Sequence, residues 1–285
     1  MKPFPLCIIG WMLLCCISAS AQKEPAPKGK LFIIGGGDRS AALMKSLIAE
    51  AGLGSKDYVV VLPMSSESPD TAYYYFKTDL ETVCSNAIVN FNFTAEKMND
   101  KHWLDSLEHA KLVFITGGDQ SRFMNAVLNS PVQRAIHKAY ANGATIAGTS
   151  AGAAVMTRYM ITGNELTDTV YRATFRKIRY ENIEIKEGLG LLRSAVIDQH
   201  FIVRSRYNRL LSALAKYPSI CCIGIDEATA IIVQGNKVKV IGESQVIVIR
   251  KPEQLKITST GLVKWKDIQF SIYTAGDEFF INQSN

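Results

Sequence analysis

The 285-residue chain is poor in the side chains that build metal centres and disulfide frameworks, with four histidines and six cysteines. The histidines (His102, His109, His137 and His200) are dispersed, and neither His-Glu-x-x-His nor Cys-x-x-Cys occurs. No ligand spacing is present, so no metal and no cofactor are expected. Cys7, Cys15 and Cys16 fall in a leading apolar segment, and Cys84, Cys221 and Cys222 are too few for a disulfide scaffold. The formal charge of +6 is spread along the chain without a basic run interleaved with aromatics, which gives nucleic-acid binding no support. There is no apolar run of the roughly 20 residues a spanning helix needs. Internal repeats and low-complexity blocks are also missing. With 47% hydrophobic and 20% charged residues, the composition excludes a disordered chain.

What is present begins with a leader. Met1-Lys2, an apolar stretch over 6–17, and Ser18-Ala19-Ser20-Ala21 before Gln22 match the three parts of a signal peptide. Residues 1–21 are therefore expected to be removed, leaving a soluble protein that is secreted or periplasmic and has no membrane association. Cys15-Cys16 raises lipoprotein processing, but Leu13-Leu14 ahead of the pair are not the small residues such processing wants. Residues 22–29, rich in Lys, Pro and Gly, read as a flexible leader. A single domain is expected over 30–285, with a β-rich tail from about 229.

Residues 31–35 form a short apolar run, followed by Gly36-Gly37-Asp38-Arg39-Ser40 and an amphipathic stretch over 41–51: a buried strand, a tight turn and a helix. The unit recurs as strand 58–62 with helix 71–84, strand 87–91 with helix 100–109, and strands 112–116 and 144–147. Another strand ends at 196–198, a helix covers 204–216 and a further strand 222–226. Strands apolar on both faces, alternating with helices, predict a mostly parallel α/β sheet covered by helices on both faces. After 228 the pattern changes to alternating runs over 230–233, 237–241 and 246–249, joined by Gly235-Asn236 and Gly242. These predict a C-terminal β-hairpin extension.

Gly148-Thr149-Ser150-Ala151-Gly152 follows an apolar strand and precedes small helix formers, the context of a strained strand-to-helix elbow that exposes a nucleophilic serine. A Gly/Ala-rich packing turn with an incidental serine would carry the same letters, but the strand before and helix after favour the nucleophile. Its base is sought among four histidines. His102 and His109 lie in a polar helical stretch and His137 within a helix over 132–140. His200 directly follows strand 195–198 and Gln199, at the carboxyl edge where open α/β sheets bind ligands. The triad's acid is one of Glu227, Asp226, Asp198 and Glu165, and position alone does not choose. Glu227 and Asp226 end a strand, whereas Asp198 shares a strand face with His200. The order serine, histidine, acid differs from that of α/β-hydrolases and argues against a lipase or esterase.

After strand 112–116, Gly117-Gly118-Asp119-Gln120 opens a helix. Its backbone N–H groups at Gly118 and Asp119, with that of Ala151, suit an oxyanion hole, the plain alternative being a glycine-rich helix start. Arg204, Arg206 and Arg209, at the start of helix 204–216, suit substrate carboxylates held by guanidinium forks, or otherwise form a solvated basic face.

Together, Gly117-Gly-Asp-Gln120, Gly148-Thr-Ser-Ala-Gly-Ala153, Asp198-Gln-His-Phe201 with the three arginines, and Gly224-Ile-Asp-Glu-Ala-Thr-Ala230 resemble the cyanophycinases, a serine peptidase family that also includes the aspartyl dipeptidases. The likeness runs from about 31 to 250 and rests on four motifs in register. It implies a flavodoxin-like fold similar to class I glutamine amidotransferases, with serine in place of their cysteine. It also implies Glu227 as the acid, and Gln120, Asp198, Gln199, Arg204, Arg206 and Arg209 as pocket residues. Glu165 falls near a position where the dipeptidases carry a functional aspartate. The implied substrate is a cyanophycin-like polymer, an aspartate backbone with arginine on each β-carboxyl, released as β-Asp-Arg dipeptides by acyl transfer through Ser150.

An ordinary imidazole, with a pKa of about 6.5, would give activity rising on an alkaline limb. Two alternatives accompany this reading. One is a dipeptidase for N-terminal Asp or isoaspartyl peptides, with 165–188 as the loop that decides. The other is a secreted binding protein with a dead site. The one protein partner allowed for is a second copy of the chain, as a homodimer.

Overall fold

Apolar runs four or five residues long can bury both faces only in the middle of a layered molecule, and the amino-terminal half is built that way. The computed structural model describes residues 26–281 apart from 168, 169, 171 and 173. The expected signal peptide and residues 22–25 of the leader lie outside the described residues. The chain runs β1 (Lys30–Ile34), α1 (Ala41–Ala51), β2 (Tyr58–Leu62), α2 (Pro69–Glu81), β3 (Ala87–Asn90), α3 (Lys101–His109), β4 (Leu112–Ile115), α4 (Gln120–Val127), α5 (Pro131–Asn142), β5 (Thr145–Thr149) and α6 (Ala151–Ala154). A two-stranded arm of β6 (Tyr159–Glu165) and β7 (Ile183–Glu187) follows, then β8 (Ala195–Gln199), α7 (Tyr207–Lys216) and β9 (Cys221–Ile225). The tail holds β10 (Thr229–Gln234), β11 (Lys237–Gly242), β12 (Val246–Glu253), β13 (Lys256–Ile257), β14 (Val263–Lys264), β15 (Asp267–Tyr273) and β16 (Glu278–Phe280).

The central sheet has the order β16-β11-β10-β1-β5-β4-β2-β3. The pairs from β1 through β5, β4 and β2 to β3 are parallel, and the hairpin β10–β11 adds antiparallel to β1. This is the expected flavodoxin-like α/β architecture with its β-hairpin extension. Alternation along β1 shows how the two faces are covered. Leu31 and Ile33 join a core with α3, α4 and α5, while Phe32 and Ile34 pack with Leu43, Met44 and Leu47 of α1 and Phe76 and Leu80 of α2. Local chemistry sets the helix ends: Ser40 caps α1 by accepting from the Leu43 N–H, and Gly52 closes it in the left-handed conformation.

Strand membership and one helix start are revised. β8 and β9, read as part of one sheet, belong instead to a second sheet of order β15-β12-β9-β8. Its inner face packs into the core of the central sheet through Ile197, Ile223 and Val248. Its outer face packs under α7 through Val196, Cys222 and Leu210. A strand buried on both faces gives the same apolar run in either sheet, so the sequence could not assign membership. The tail likewise divides, β10 and β11 extending the central sheet and β12 pairing with β9. Arg204 and Arg206 were expected inside the helix but precede it, because Ser205 has a φ of 49° and α7 starts only at Tyr207.

Candidate active site

Ser150 sits between β5 and α6 with φ 54° and ψ −110°, a conformation that costs a non-glycine residue about 1–3 kcal/mol. The flanking glycines make the turn sterically feasible. A Cβ on Gly148 would lie 2.5 Å from the Gly152 carbonyl oxygen, and one on Gly152 would lie 2.2 Å from that of Ile115. No side chain fits in either place.

The turn after β1 gathers the remaining parts. Three consecutive carbonyls accept in order: Ile34 from the Ser150 N–H at 3.1 Å, Gly35 from the His200 N–H at 2.7 Å, and Gly36 from the Ala228 N–H at 2.9 Å. A Cβ on Gly36 would sit 2.3 Å from the His200 ring, and one on Gly37 would sit 2.7 Å from the Glu227 Cβ. The glycine run, legible in the sequence only as a tight turn, is thus the surface against which three elements meet.

His200, the residue after β8, has a φ of 48° and is buried. Its Nε2 is 2.8 Å from Ser150 Oγ and its Nδ1 is 2.5 Å from Glu227 Oε1. The tautomer that satisfies both contacts carries its proton on Nδ1, donated to the carboxylate, and accepts the serine hydroxyl at Nε2. Burial pushes the imidazole below its usual value, the hydrogen bond to Glu227 pulls it up, Arg204 pushes it down, and the net direction is down.

Of the four acids offered by the sequence, Glu227 alone meets His200. Asp226, its neighbour, accepts the N–H groups of Ile202 at 2.9 Å and Val203 at 3.0 Å and the Ser244 hydroxyl at 2.7 Å, which ties down the loop carrying the histidine. Asp198 is fully buried and takes Arg209 Nε at 2.6 Å and Nη2 as well. Glu165 accepts from Asn182 Nδ2 at 2.6 Å.

In the segment after β4, Gly118 (φ 137°) passes so close to Ser65 that a Cβ would meet its carbonyl oxygen at 2.2 Å. Asp119 is a correction to the expected oxyanion donors. Its N–H donates to the Ser65 carbonyl at 2.8 Å and its carboxylate caps α4 at Ser121 and Arg122, so it has no N–H to offer. Ala151 is the first residue of α6, and its N–H has no acceptor within the helix. Of the three expected donors, Gly118 and Ala151 are left with N–H groups that make no hydrogen bond among the described residues.

Two cavities of about 250 Å³ each flank Ser150. One is polar, lined by Gly118, Gln120, Gly163, Gln199, Arg204, Arg206 and Arg209 among others. Here Gln120 Nε2 donates to the carbonyls of Ile161 (3.0 Å) and Thr162 (2.5 Å), holding the arm against α4. Arg206 donates from Nη1 to both oxygens of Gln199. Asp198 and Glu165 were expected in this pocket, but neither lines it. Asp198 lies one layer behind, against Arg209, and Glu165 pairs through Oε2 with Asn182.

The other cavity is lined by Gly36, Gly37, Arg39, Tyr75, Phe76, Phe114 and His200, among others. Arg39 and Tyr75 were not anticipated, since single residues in a turn and a helix carry no motif. A larger cavity of about 630 Å³, lined by His137, Arg193 and Ser194 among others, includes none of Ser150, His200 and Glu227. His102 is exposed, His109 contacts the Asp105 carbonyl, and His137 contacts that of Leu189. Among the described residues no cluster suited to a metal ion occurs, and no helix is long and apolar enough to cross a membrane.

The chain is similar to known peptidases in sequence and in fold. Residues 31–241 match the model of peptidase family S51. The chain is 30% identical over 278 residues to a cyanophycinase of Trichormus variabilis, covering 93% of this chain and 90% of that protein. It is 35% identical over 170 residues to one of Geminocystis herdmanii, covering 59% of each. In three dimensions it is similar to a peptidase from an acI-B1 actinobacterium, with a TM-score of 0.65 at 20% identity, covering 90% of this chain and 98% of that one.

Proposed function

Since the chain belongs to peptidase family S51 and is thereby a serine-type peptidase, we propose that it hydrolyses cyanophycin to β-Asp-Arg dipeptides through a Ser150-His200-Glu227 triad. The observation that carries the reading is the continuous hydrogen-bonded line from Ser150 Oγ through His200 to Glu227, beside an arginine-lined cavity.

In this mechanism His200 Nε2 takes the Ser150 proton as Oγ attacks the substrate carbonyl. Glu227 orients the ring and stabilises the imidazolium. The Gly118 and Ala151 N–H groups hold the oxyanion, and water then releases the acyl group by the same base. Arg206 and Arg209 bring two positive charges and Asp198 one negative, so this buried trio is net cationic and suits a carboxylate-rich substrate. Gln120 and Gln199 hold the pocket's shape beside them. The apolar 6–17 stretch and the Ala-x-Ala site support export to the periplasm or medium, where the polymer would be met outside the cell.

The test is to incubate the protein, and Ser150→Ala beside it, with insoluble cyanophycin and to weigh the soluble products by mass spectrometry. Release of β-Asp-Arg by the wild type alone is expected; no release would refute the substrate. The small volume of each cavity, about 250 Å³, favours short substrates as a second reading. Cleavage of short isoaspartyl peptides without release from the polymer would establish a dipeptidase.

A further inference from the structure

Resting on the peptidase reading above, we propose that the cavity on the His200 side of Ser150 receives the leaving residue of the substrate, and that Arg39 recognises a carboxylate on that residue. The direction follows from the proton. As the bond from Ser150 Oγ to the acyl carbon forms and the scissile C–N bond breaks, the serine proton passes through His200 to the departing nitrogen. Nδ1 is held by Glu227, so only Nε2 can deliver it. The departing nitrogen therefore comes within hydrogen-bond reach of Nε2. His200 lines one of the two cavities beside Ser150, while Gly118, Arg204, Arg206 and Arg209 line the other. The leaving group belongs on the histidine side and the acyl group on the arginine side.

The histidine-side cavity has a distinct chemistry. Phe76 and Phe114, stacked at 3.6 Å and 1% exposed each, make a rigid floor. Tyr75 stands at the rim, 62% exposed. Arg39 is the one permanently charged residue among those lining it. Its Nε and Nη2 both donate to Asp79 Oδ2, at 2.9 and 2.6 Å, which fixes the plane of the guanidinium. Its Nη1 makes no hydrogen bond among the described residues and is left for a ligand. A fixed, half-buried cation with donors to spare is matched by a carboxylate.

Two substrate pairs test this. One is a two-unit β-aspartyl-arginine segment with the carboxylates of its leaving unit free or amidated. The other is an aspartyl dipeptide with its carboxyl end free or amidated. In whichever pair the wild type cleaves, the free acid is expected to be preferred in kcat/KM by roughly 10- to 100-fold, the effect of one charge-assisted hydrogen bond. Arg39→Gln is expected to bring that ratio to within about 2-fold of unity, and Arg39→Lys to keep part of the preference. Because the ratio is internal to each variant, reduced folding does not alter it. A wild type without preference, or an unchanged ratio in Arg39→Gln, overturns the assignment and leaves the peptidase standing. Failure to cleave any of the four substrates overturns the peptidase reading and this inference together.

Discussion

His200 Nε2 stands 2.8 Å from Ser150 Oγ although 50 residues separate the two in the chain. They meet because β5 and β8 lie in different sheets whose carboxyl ends converge on the turn after β1. Both residues have positive φ, 54° and 48°, so each side chain is turned out of its strand at the joint. The candidate active site is the seam between two sheets.

Glu227→Gln should lower kcat by about 10⁴-fold while the fold persists, since an amide donating to Nδ1 holds the tautomer with its proton on Nε2, which cannot take the proton of Ser150. Asp226→Asn should act differently. It loosens the Ile202 and Val203 contacts that anchor the histidine loop, so stability falls along with activity. Denaturant melts alongside steady-state kinetics separate the two.

The acid limb of kcat/KM should lie below about 6.5, the ordinary histidine value, because burial and the neighbouring arginines favour the neutral imidazole that accepts the serine proton. Protonation at lower pH removes the base, so activity falls as pH drops through the limb. Arg204→Gln deletes a cation that disfavours the charged ring, and should move the limb upward. A full pH–rate profile of both proteins checks the sign.

Asp198→Ala strands the Arg209 guanidinium, 1% exposed, without a counter-ion. A cost of about 3–5 kcal/mol is expected, read as a lower urea midpoint with unchanged slope. Arg204→Ala, at an exposed position, should barely shift the midpoint.

Gly36→Ala should reduce kcat sharply in a protein that still folds. Its methyl would occupy the space of the His200 ring, 2.3 Å from Cε1, at a φ of 117° that alanine resists. Circular dichroism and kinetics on the same sample provide the check.

Much of this was legible in the chain because its strongest signals are local. The Gly-x-Ser-x-Gly elbow, the strand-helix alternation and a histidine directly after a strand each depend on neighbours within a few residues. The acid was legible only through the family resemblance, which implied Glu227: Asp226 and Glu227 are adjacent, and only the direction in which each side chain leaves the strand end decides that one meets His200 and the other Ser244. The same holds for Asp198, which reads as a pocket residue until its burial under Arg209 is seen. Asp119 was misread because its N–H is committed to Ser65, a partner from a distant loop that no local pattern announces. Tyr75 comes from a helix that carries no motif, and Arg39, two residues beyond the Gly36-Gly37 turn, stands in a stretch that reads only as the approach to a helix.

The most direct test of the triad is to treat the protein with a serine-directed phosphonate and map the modified peptide by mass spectrometry, with His200→Ala in parallel. A single adduct on Ser150 is expected in the wild type and none in His200→Ala under the same conditions. An unmodified Ser150 in a protein that still cleaves its substrate, or equal labelling without His200, would contradict the triad.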